Sequence, residues 1–508
     1  MSELSERVPA RPSAERQGRS PVPSARNGVS PDAEGLTQLS AKDRLLRRII
    51  EYGLLALLVF TPLRIGSVED ASILVMELMA VGLTLLYLLM DKPPHINVSL
   101  KPKLRWPRLF FGLLFVFIVL QAVPLPAAIV RFLSPRAFAL REQFLPGGPG
   151  AGTISLSVVP TQTLRTGLEF LAYALIGFLV VRTVTHARQF RRLIVVLIGM
   201  GVFEVFYGLF ELTQKAPRVL FYPKLYNLDS VSGTFVNRNH FSGYVEMIIP
   251  LAIGLVLSRV SAFALPGKKL REKIALIMGK GTFVNLLILS ALFVMFLGVL
   301  KSNSRSGTFI LAFIILLIFG LTTTAFGASR YQLHWIRTFI KGMVAMVVLI
   351  VLYFGIDATV RRFSMDNLLQ EGRPKYWSNV LTMVGDFPLV GAGFGTFPSA
   401  FPVYENTGLD NPLVHAHNDY LENLAELGVI GFGLLMAGIL CLYVTAFRTW
   451  IQRNNPEIKG LVLGALVSVA AMLFHSITDF NLHIPANALL FTVVLSLGFG
   501  MAFYRKAH

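Results

Sequence analysis

Charged residues and cysteines are both scarce in this chain. Only 15% of its 508 residues are Asp, Glu, Lys or Arg, whereas 54% are hydrophobic and the mean hydropathy is +0.61. Soluble globular proteins carry about a quarter charged residues, so this composition excludes that class. The single cysteine, Cys441, lies inside an apolar run, and no disulfide can therefore form within the chain.

Apolar runs of roughly twenty residues recur along the whole sequence, and each is long enough to cross a bilayer as a helix. The pattern predicts an all-α polytopic membrane protein with about twelve transmembrane helices. The predicted spans begin near Leu46, Ala71, Pro107, Leu164, Phe190, His240, Thr282, Arg305, Thr338, Glu422, Ile458 and Pro485.

The formal net charge of +18 comes mainly from short loops between spans, such as "THARQFRR" and "RNNPEIK". Basic short loops are typical of the cytoplasmic side of a membrane protein. We therefore interpret the charge as a topology signal and expect membrane lipids, not nucleic acid, around the protein. The N-terminal tail is then cytoplasmic.

Four regions follow from this topology. Residues 1–45 are rich in Ser, Pro, Arg and Gly without an apolar h-region, which predicts a disordered tail and no signal peptide. Residues 46–356 hold spans one to nine, and residues 422–508 hold the last three. Between them, residues 357–421 form a long outer loop.

Three arginines stand among polar residues on the predicted outer side. Arg238 and Asn239 lie in "GTFVNRNHFSGYVE", Arg305 lies in "KSNSRSG", and Arg373 opens "GRPKYWSNVLTMVGDFP". Each could simply extend its side chain to the lipid headgroups. If the three converge, their guanidinium groups would match the oxygens of a diphosphate.

The stretch "HAHNDYLENLAELGVIGFG" leads into the tenth predicted span. His415 and His417 with Asp419 could be metal ligands, but no further ligands are evident and we expect no metal. Asp419 and Glu422 have the spacing of a capping box, a structural role. His417 is left unexplained by that box, and a neutral imidazole at a wet membrane boundary suits a general base.

The long outer loop contains two further patterns. The segment from Arg373 predicts a short amphipathic helix, with Pro374 at its first turn and Trp377, Leu381 and Val384 on one stripe. "PLVGAGFGTF" follows and resembles a phosphate-binding loop, but its spacing is not GxGxxG. We interpret it as a tight turn packed close to the membrane.

Four titratable residues in or near predicted spans have no assigned role. Glu204 and Glu211 lie seven residues apart on one face of the fifth span, and His475 and Asp479 lie near the outer end of the eleventh. Carboxylates inside a membrane are candidates for function, but hydrogen bonding between helices explains them equally well.

Taken in order, "GTFVNRNHFSGY", "SNSRSG", "GRPKYW…DFPLVGAGFGTF" and "HAHNDYLENLAELGVIG" resemble the O-antigen ligase / O-antigen polymerase superfamily. The motifs extend from about Gly233 to Gly433. The resemblance implies glycan transfer from undecaprenyl diphosphate at the periplasmic face of the bacterial inner membrane. It implies a metal-independent, inverting enzyme without cofactors.

The resemblance also suggests roles for individual residues. The family histidine falls on His417, with Asn418 beside it, and the family arginines fall on Arg305 and Arg373, and less firmly on Arg238. His417 would then be the base and the arginines would hold the diphosphate. Asn418, His415 and Asn239 are supporting residues, and the role of His415 is left open.

Several functions share this pattern. A ligase that uses lipid A–core as acceptor ranks first, then a polymerase that uses a second lipid-linked glycan, then a protein O-glycosylating enzyme. A polysaccharide flippase or transporter is the main alternative of another class. However, the sequence has no visible internal repeat, and its polar motifs gather on one side, whereas transporters bind substrate near the midplane. A scaffold for envelope assembly is a non-catalytic alternative.

Overall fold

The structure is a computed structural model that describes residues 40–92, 102–144, 152–260, 280–325, 341–342, 345, 373–406 and 413–504. Nearly all of the predicted tail lies outside these residues. So does most of the predicted ninth span, from near Thr338.

Long α-helices make up most of the described chain, which confirms the predicted all-α class. The long helices are α1 (Ala41–Leu63), α2 (Asp70–Leu88), α3 (Arg105–Ala122), α6 (Pro160–Thr183), α7 (Ala187–Glu211), α8 (Arg238–Val260), α9 (Lys280–Lys301), α10 (Arg305–Ala325), α13 (Asp419–Ile451), α14 (Pro456–His475) and α15 (Pro485–Ala502). Shorter helices are α4 (Ala127–Leu133), α5 (Pro135–Phe144), α11 (Arg373–Asp386) and α12 (Phe397–Ala400). Two small antiparallel pairs, β1 (Leu125–Pro126) with β2 (Thr153–Ile154) and β3 (Arg218–Val219) with β4 (Tyr222–Pro223), are the strands of the described residues.

Ten helices of the described chain are long and apolar enough to cross a membrane. They correspond to ten of the twelve predicted spans. The first predicted span falls on α1, which is not among the ten. The first part of α1 carries the charged residues Arg47, Arg48 and Glu51. The structure therefore supports a multi-pass membrane protein, and the count of twelve is not confirmed.

Helices α8, α14 and α15 form the centre of the bundle, and most of their apolar residues are buried. Glycines allow α8 and α14 to approach closely: a Cβ on Gly254 would lie 2.6 Å from the carbonyl oxygen of Gly460. Small residues permit such contacts between membrane helices, where van der Waals packing drives association. Ser468 adds a hydrogen bond of 2.7 Å to the carbonyl oxygen of Met247 across the same interface.

A second, smaller core lies at one end of the bundle and is built from the connections between helices. It includes α4, α5, α11 and α12, and we call it the cap layer. Tyr376, Phe387, Phe397 and Phe401 are buried in it. An ion pair of 3.2 Å between Arg136 and Asp386 joins two connections that are far apart in sequence.

The glycine segment of "PLVGAGFGTF" fixes the cap layer to α13. Backbone N–H groups of Ala392 and Gly393 donate to the carbonyl oxygens of Ala425 and Glu426 at 2.9 and 3.0 Å. The Glu426 carboxylate accepts from the N–H groups of Gly395 and Phe397, both at 2.8 Å. The loop thus binds a carboxylate of its own chain, which agrees with a packed turn and not with a phosphate cradle.

The predicted amphipathic helix is present as α11, but its buried stripe differs from the prediction. Tyr376, Val380 and Met383 face the cap-layer core, while Leu381 is 55% exposed. The prediction placed Leu381 on the buried face. It was wrong for Leu381 because the buried positions lie one residue earlier in the helix, and Trp377 and Val384 pack against the core only at its edge. The Nε1–H of Trp377 donates to the carbonyl oxygen of Ala416 at 2.8 Å.

A kink in α13 makes this docking possible, and it requires glycine. Gly428 has φ 60° and ψ −176°, a region that side chains exclude, and its added Cβ would lie 2.4 Å from the backbone carbonyl of Leu389. We expect Gly428→Ala to cost about 1–3 kcal/mol from the backbone alone, with the steric clash in addition. The thermal midpoint of the purified protein in detergent measures this loss.

Gly433→Ala is the matched control, because a Cβ on Gly433, in the same helix, would meet nothing within 4 Å. It should leave the midpoint unchanged or raise it slightly, because alanine is a better helix former than glycine. Equal midpoints for both variants would show that the kink does not hold the cap layer.

Candidate active site

Four helix connections meet at the end of the bundle that carries the cap layer, which we call the site end. They are the start of α8, the start of α10, the entry to α13 and the connection between α14 and α15. Three contacts with the α14–α15 connection establish this: Asn239 and His417 both contact Asp479, and Ser306 contacts Thr478. Polar residues from these four connections therefore lie together at one end of the bundle.

Hydrogen bonds with α13 and with α11 fix the segment before α13. The N–H of Ala416 donates to Glu422 Oε2 at 2.8 Å, and its carbonyl oxygen accepts from Trp377. His417 follows with φ 48°, a left-handed conformation that non-glycine residues adopt at a cost of about 1–3 kcal/mol. The bonds to Ala416 fix the backbone in this conformation, which turns the imidazole towards the α14–α15 connection.

His417 faces a buried carboxylate. Its Nδ1 lies 3.2 Å from Asp479 Oδ1, and its side chain is 29% exposed whereas that of Asp479 is wholly buried. Phe480 packs edge-on against the ring, with centroids 4.8 Å apart. The imidazole is thus anchored at one nitrogen and partly open to solvent.

Asp479 is held ionised by its surroundings. Burial alone would raise the pKa of its carboxyl, but the neighbouring His240 and the hydrogen bond with His417 hold the pKa well below its usual range. Asn239 donates to Oδ2 at 2.6 Å, and the N–H of Phe480 donates to Oδ1 at 2.9 Å. A carboxylate in this state can only accept, so we assign the hydrogen to Nδ1 of His417.

Asp419 and Glu422 do not form the predicted capping box. Asn418 is the N-cap of α13, and its side chain accepts from the N–H groups of Tyr420 and Leu421. Asp419 instead contacts His483 Nδ1 at 2.7 Å, and Glu422 contacts His415 Nδ1 at 2.7 Å. The prediction was wrong because the nearest donors for these acids come from elsewhere in the tertiary structure.

His483 sits between the two carboxylates. Burial alone would lower its pKa, but the charge of Glu422 and the hydrogen bond to Asp419 raise the pKa to about 10. It therefore carries a positive charge at neutral pH and neutralises part of this buried acidic pair.

One group of the described residues could hold a metal ion. Ligand atoms of His415, Glu422 and His483 all lie within 4.8 Å of one another. The sequence pointed to a different set, His415 with His417 and Asp419, and the structure separates that set because His417 faces Asp479. In this structure His483 contacts the carboxylates of both Asp419 and Glu422, so ion pairing links two members of the same group.

The structure places the three predicted arginines at the starts of helices around this site. Arg238 begins α8 and donates to Ser230 Oγ at 3.2 Å. Arg305 begins α10, next to Ser306, whose hydroxyl accepts from Thr478 at 2.9 Å. Arg373 begins α11, three residues before Tyr376, whose ring centroid is 6.2 Å from that of His417. The side chain of Arg373 lies outside the described part of the chain.

Sequence reasoning missed the α14–α15 connection, "SITDFNLHIP", as part of the site. It supplies Asp479, Phe480 and His483, and His415 stacks on Phe480 with centroids 4.1 Å apart. Asp479 had drawn notice only as a titratable residue near a span. The clustering of Asp, Asn and His between two apolar spans is the signal that could have identified the connection.

His475 and Glu246 form a separate contact deeper in the bundle. His475 Nδ1 lies 2.8 Å from Glu246 Oε2, and both side chains are buried between α14 and α8. This contact joins two central helices, so the structure favours hydrogen bonding between helices for His475.

A pH effect follows from His483. Because its folded-state pKa is about 10 and its ordinary value is 6.5, the stabilisation by its charge is full below about pH 6.5. It is lost as the pH rises through 10. We expect His483→Gln to lower the thermal midpoint at pH 6.5, and the difference from the parent protein to shrink towards pH 10. A constant difference across this range would contradict the ionised state.

A family model described as "O-Antigen ligase" matches residues 290–436, which include α10, α11, the glycine turn and the first half of α13. The "Exopolysaccharide production protein ExoQ" of Rhizobium meliloti (strain 1021) is 26% identical over 329 residues, which cover 63% of this chain and 68% of that protein. The matched region contains Arg305, Arg373 and His417. Both findings support the assignment of this multi-pass membrane protein to an O-antigen ligase/polymerase-like family, as its motifs predicted.

Proposed function

We propose that this protein is a membrane glycosyltransferase that moves a glycan from undecaprenyl diphosphate to an acceptor sugar. The reaction takes place at the periplasmic face of the bacterial inner membrane, without a metal or cofactor. The observation that carries the proposal is the His417–Asp479 pair, which lies at the end of the bundle where the arginine-bearing helices begin.

His417 acts as the general base. Asp479 accepts from Nδ1–H, so the lone pair of the imidazole lies on Nε2 and can take a proton from an acceptor hydroxyl. The buried carboxylate also stabilises the imidazolium that forms. The left-handed backbone of His417 supports this role, because strain of this kind is concentrated at functional sites.

Arg305 and Arg373, together with Arg238, bind the diphosphate. The acceptor oxygen attacks the anomeric carbon while the bond from that carbon to the diphosphate oxygen breaks. The electron pair leaves with undecaprenyl diphosphate, and the hydroxyl proton passes to His417. Guanidinium groups at helix starts are well placed to stabilise the negative charge of this leaving group. A single displacement inverts the anomeric configuration.

Two acceptors are candidates, and each is favoured by one observation. The description of the family model favours a ligase, with lipid A–core as acceptor. The name of the relative ExoQ favours an exopolysaccharide polymerase, with a second lipid-linked glycan as acceptor. Both reactions use the same donor and the same base.

A competition experiment separates the two acceptors. Purified protein receives a defined undecaprenyl-diphosphate glycan together with lipid A–core and a second lipid-linked glycan, and the sizes of the products are measured. Transfer to lipid A–core identifies a ligase, and longer lipid-linked chains identify a polymerase. Transfer to neither would contradict the proposed function, and activity retained in EDTA supports metal independence.

His417→Ala should lower kcat by about 10²–10⁴-fold, the range expected for loss of a general base. Binding of the lipid-linked donor should persist, because the arginines are unchanged.

Asp479→Asn should lower kcat less than His417→Ala does. It should also shift the pH profile, because the amide no longer stabilises the imidazolium.

His186→Ala is a suitable control, because His186 precedes α7 and lies beside Thr185, away from the site end. It should leave transfer unchanged. Unchanged transfer by His417→Ala would remove His417 as the base. Glycan movement across the membrane by the same variant, without any transfer, would favour a flippase.

A further inference from the structure

Two buried carboxylates on α7 contact the chain that leads to Arg238. Glu204 and Glu211 are 0% and 1% exposed, and they lie on the helix just before that chain. We call residues 212–237, which connect α7 to α8, the α7–α8 segment. Each carboxylate binds a different part of this segment, and the proposed mechanism uses neither.

Glu204 binds Thr234, four residues before Arg238. Its Oε2 accepts from the N–H of Thr234 at 2.7 Å, and its Oε1 lies 2.8 Å from Thr234 Oγ1. The same hydroxyl lies 2.6 Å from the carbonyl oxygen of Pro62, at the end of α1. Thr234 thus joins α1, α7 and the α7–α8 segment at one point.

The two contacts of Thr234 Oγ1 show where the hydrogens of this group must lie. A hydroxyl carries one hydrogen and donates one short, direct hydrogen bond, yet Thr234 Oγ1 has two oxygen neighbours. The carbonyl oxygen of Pro62 has no hydrogen to give, so the hydroxyl hydrogen serves that contact. The contact with Glu204 then needs a hydrogen on Oε1. Among the described residues Glu204 forms no ion pair, which agrees with an uncharged acid in a buried site.

We propose that Glu204 is a protonated carboxylic acid that positions Arg238, and that Glu211 is an ionised acid that holds the same segment through Lys224. This inference rests on the proposed function in that it takes Arg238 as a diphosphate-binding residue. Both glutamates are positioning residues, and neither touches substrate.

Glu211 differs from Glu204 because a cationic side chain, that of Lys224, lies beside it. Lys224 Nζ lies 3.3 Å from Glu211 Oε2, and both side chains are buried, at 2% and 1% exposure. The same ammonium donates to the carbonyl oxygen of Ser230 at 2.7 Å. A buried ammonium is stabilised by a charged partner, so this contact favours the ionised form of Glu211.

The Lys224 contact is connected to Arg238 through Ser230. Ser230, whose carbonyl oxygen Lys224 binds, accepts from Arg238 Nη1 at its hydroxyl. The next residue, Val231, donates its N–H to the carbonyl oxygen of Lys301 at 3.1 Å, at the end of α9. Since α10 begins at Arg305, the segment links the positions of Arg238 and Arg305.

Backbone packing shows how closely the segment is fitted to α7. A Cβ on Gly208 would lie 2.8 Å from the backbone nitrogen of Gly233, and Gly233 itself has φ 55°. A Cβ on Gly233 would lie 2.3 Å from Glu204 Oε2. The acid therefore meets the backbone directly, with no room for a side chain between them.

The same substitution at the two glutamates provides the test. Glu204→Gln keeps a donor towards Thr234 Oγ1 and an acceptor for its N–H, so we expect the KM for the lipid-linked donor to stay within about twofold of the parent value. Glu204→Ala removes both bonds, and we expect that KM to rise roughly tenfold with a smaller change in kcat. Glu211→Gln leaves the Lys224 ammonium buried without its charge, and we expect a marked loss of thermal midpoint.

Infrared spectroscopy of the purified protein gives a readout that does not depend on transfer. Parent protein should show carboxylic-acid C=O absorption near neutral pH, and Glu204→Gln should remove part of it whereas Glu211→Gln should leave it unchanged. Carboxylic-acid absorption of equal intensity in the parent protein and in Glu204→Gln, or a Glu204→Gln variant as impaired as Glu204→Ala, would overturn the protonated state of Glu204.

The two proposals fail separately. Absence of glycan transfer by the parent protein would contradict the proposed function, while the infrared bands and thermal midpoints would still test Glu204 and Glu211. Transfer with an unchanged donor KM in Glu204→Ala would contradict the positioning of Arg238 and leave the proposed function intact.

Discussion

The buried Asp479 carboxylate connects the parts of the site. It lies in the connection between α14 and α15, and it accepts from Asn239 at the start of α8, from His417 at the entry to α13, and from its own neighbour Phe480. Removing a charge from water is costly, and such a group is stable only when donors surround it. Those donors come from three separate stretches of chain, so Asp479 fixes their relative positions.

The cap layer supplies the second constraint. It has a hydrophobic core of its own and is attached to α13 where the glycine turn fits the kink at Gly428. The same layer holds Trp377, which binds the backbone beside His417. The position of the imidazole therefore depends on packing outside the bundle as well as on Asp479, and the strained backbone of His417 is stabilised from both sides.

The acidic residues at the site end are stabilised in three different ways. Asp479 is ionised among histidine and amide donors, Asp419 and Glu422 share the charged His483, and Glu426 caps the glycine turn through backbone N–H groups. Hydrogen-bond donors or a cation lie beside each of these carboxylates, so the repulsion between them and an anionic ligand is reduced. This leaves a diphosphate site, as proposed, with helix starts and arginines as its main electrostatic features.

The sequence by itself determined the membrane class, ten of the spans, the short helix α11 and the residues that resemble the O-antigen ligase / polymerase superfamily. Apolar runs and local motifs suffice for these, since each depends on residues close together in the chain. Only the tertiary structure decided that Asp479 faces His417, and that His483 lies between Asp419 and Glu422. These contacts join residues more than 60 positions apart. Near the start of a helix, the spacing of two acids is the same whether they cap the helix or bind other side chains. Which of the two they do depends on the donors that the three-dimensional fold brings close to them.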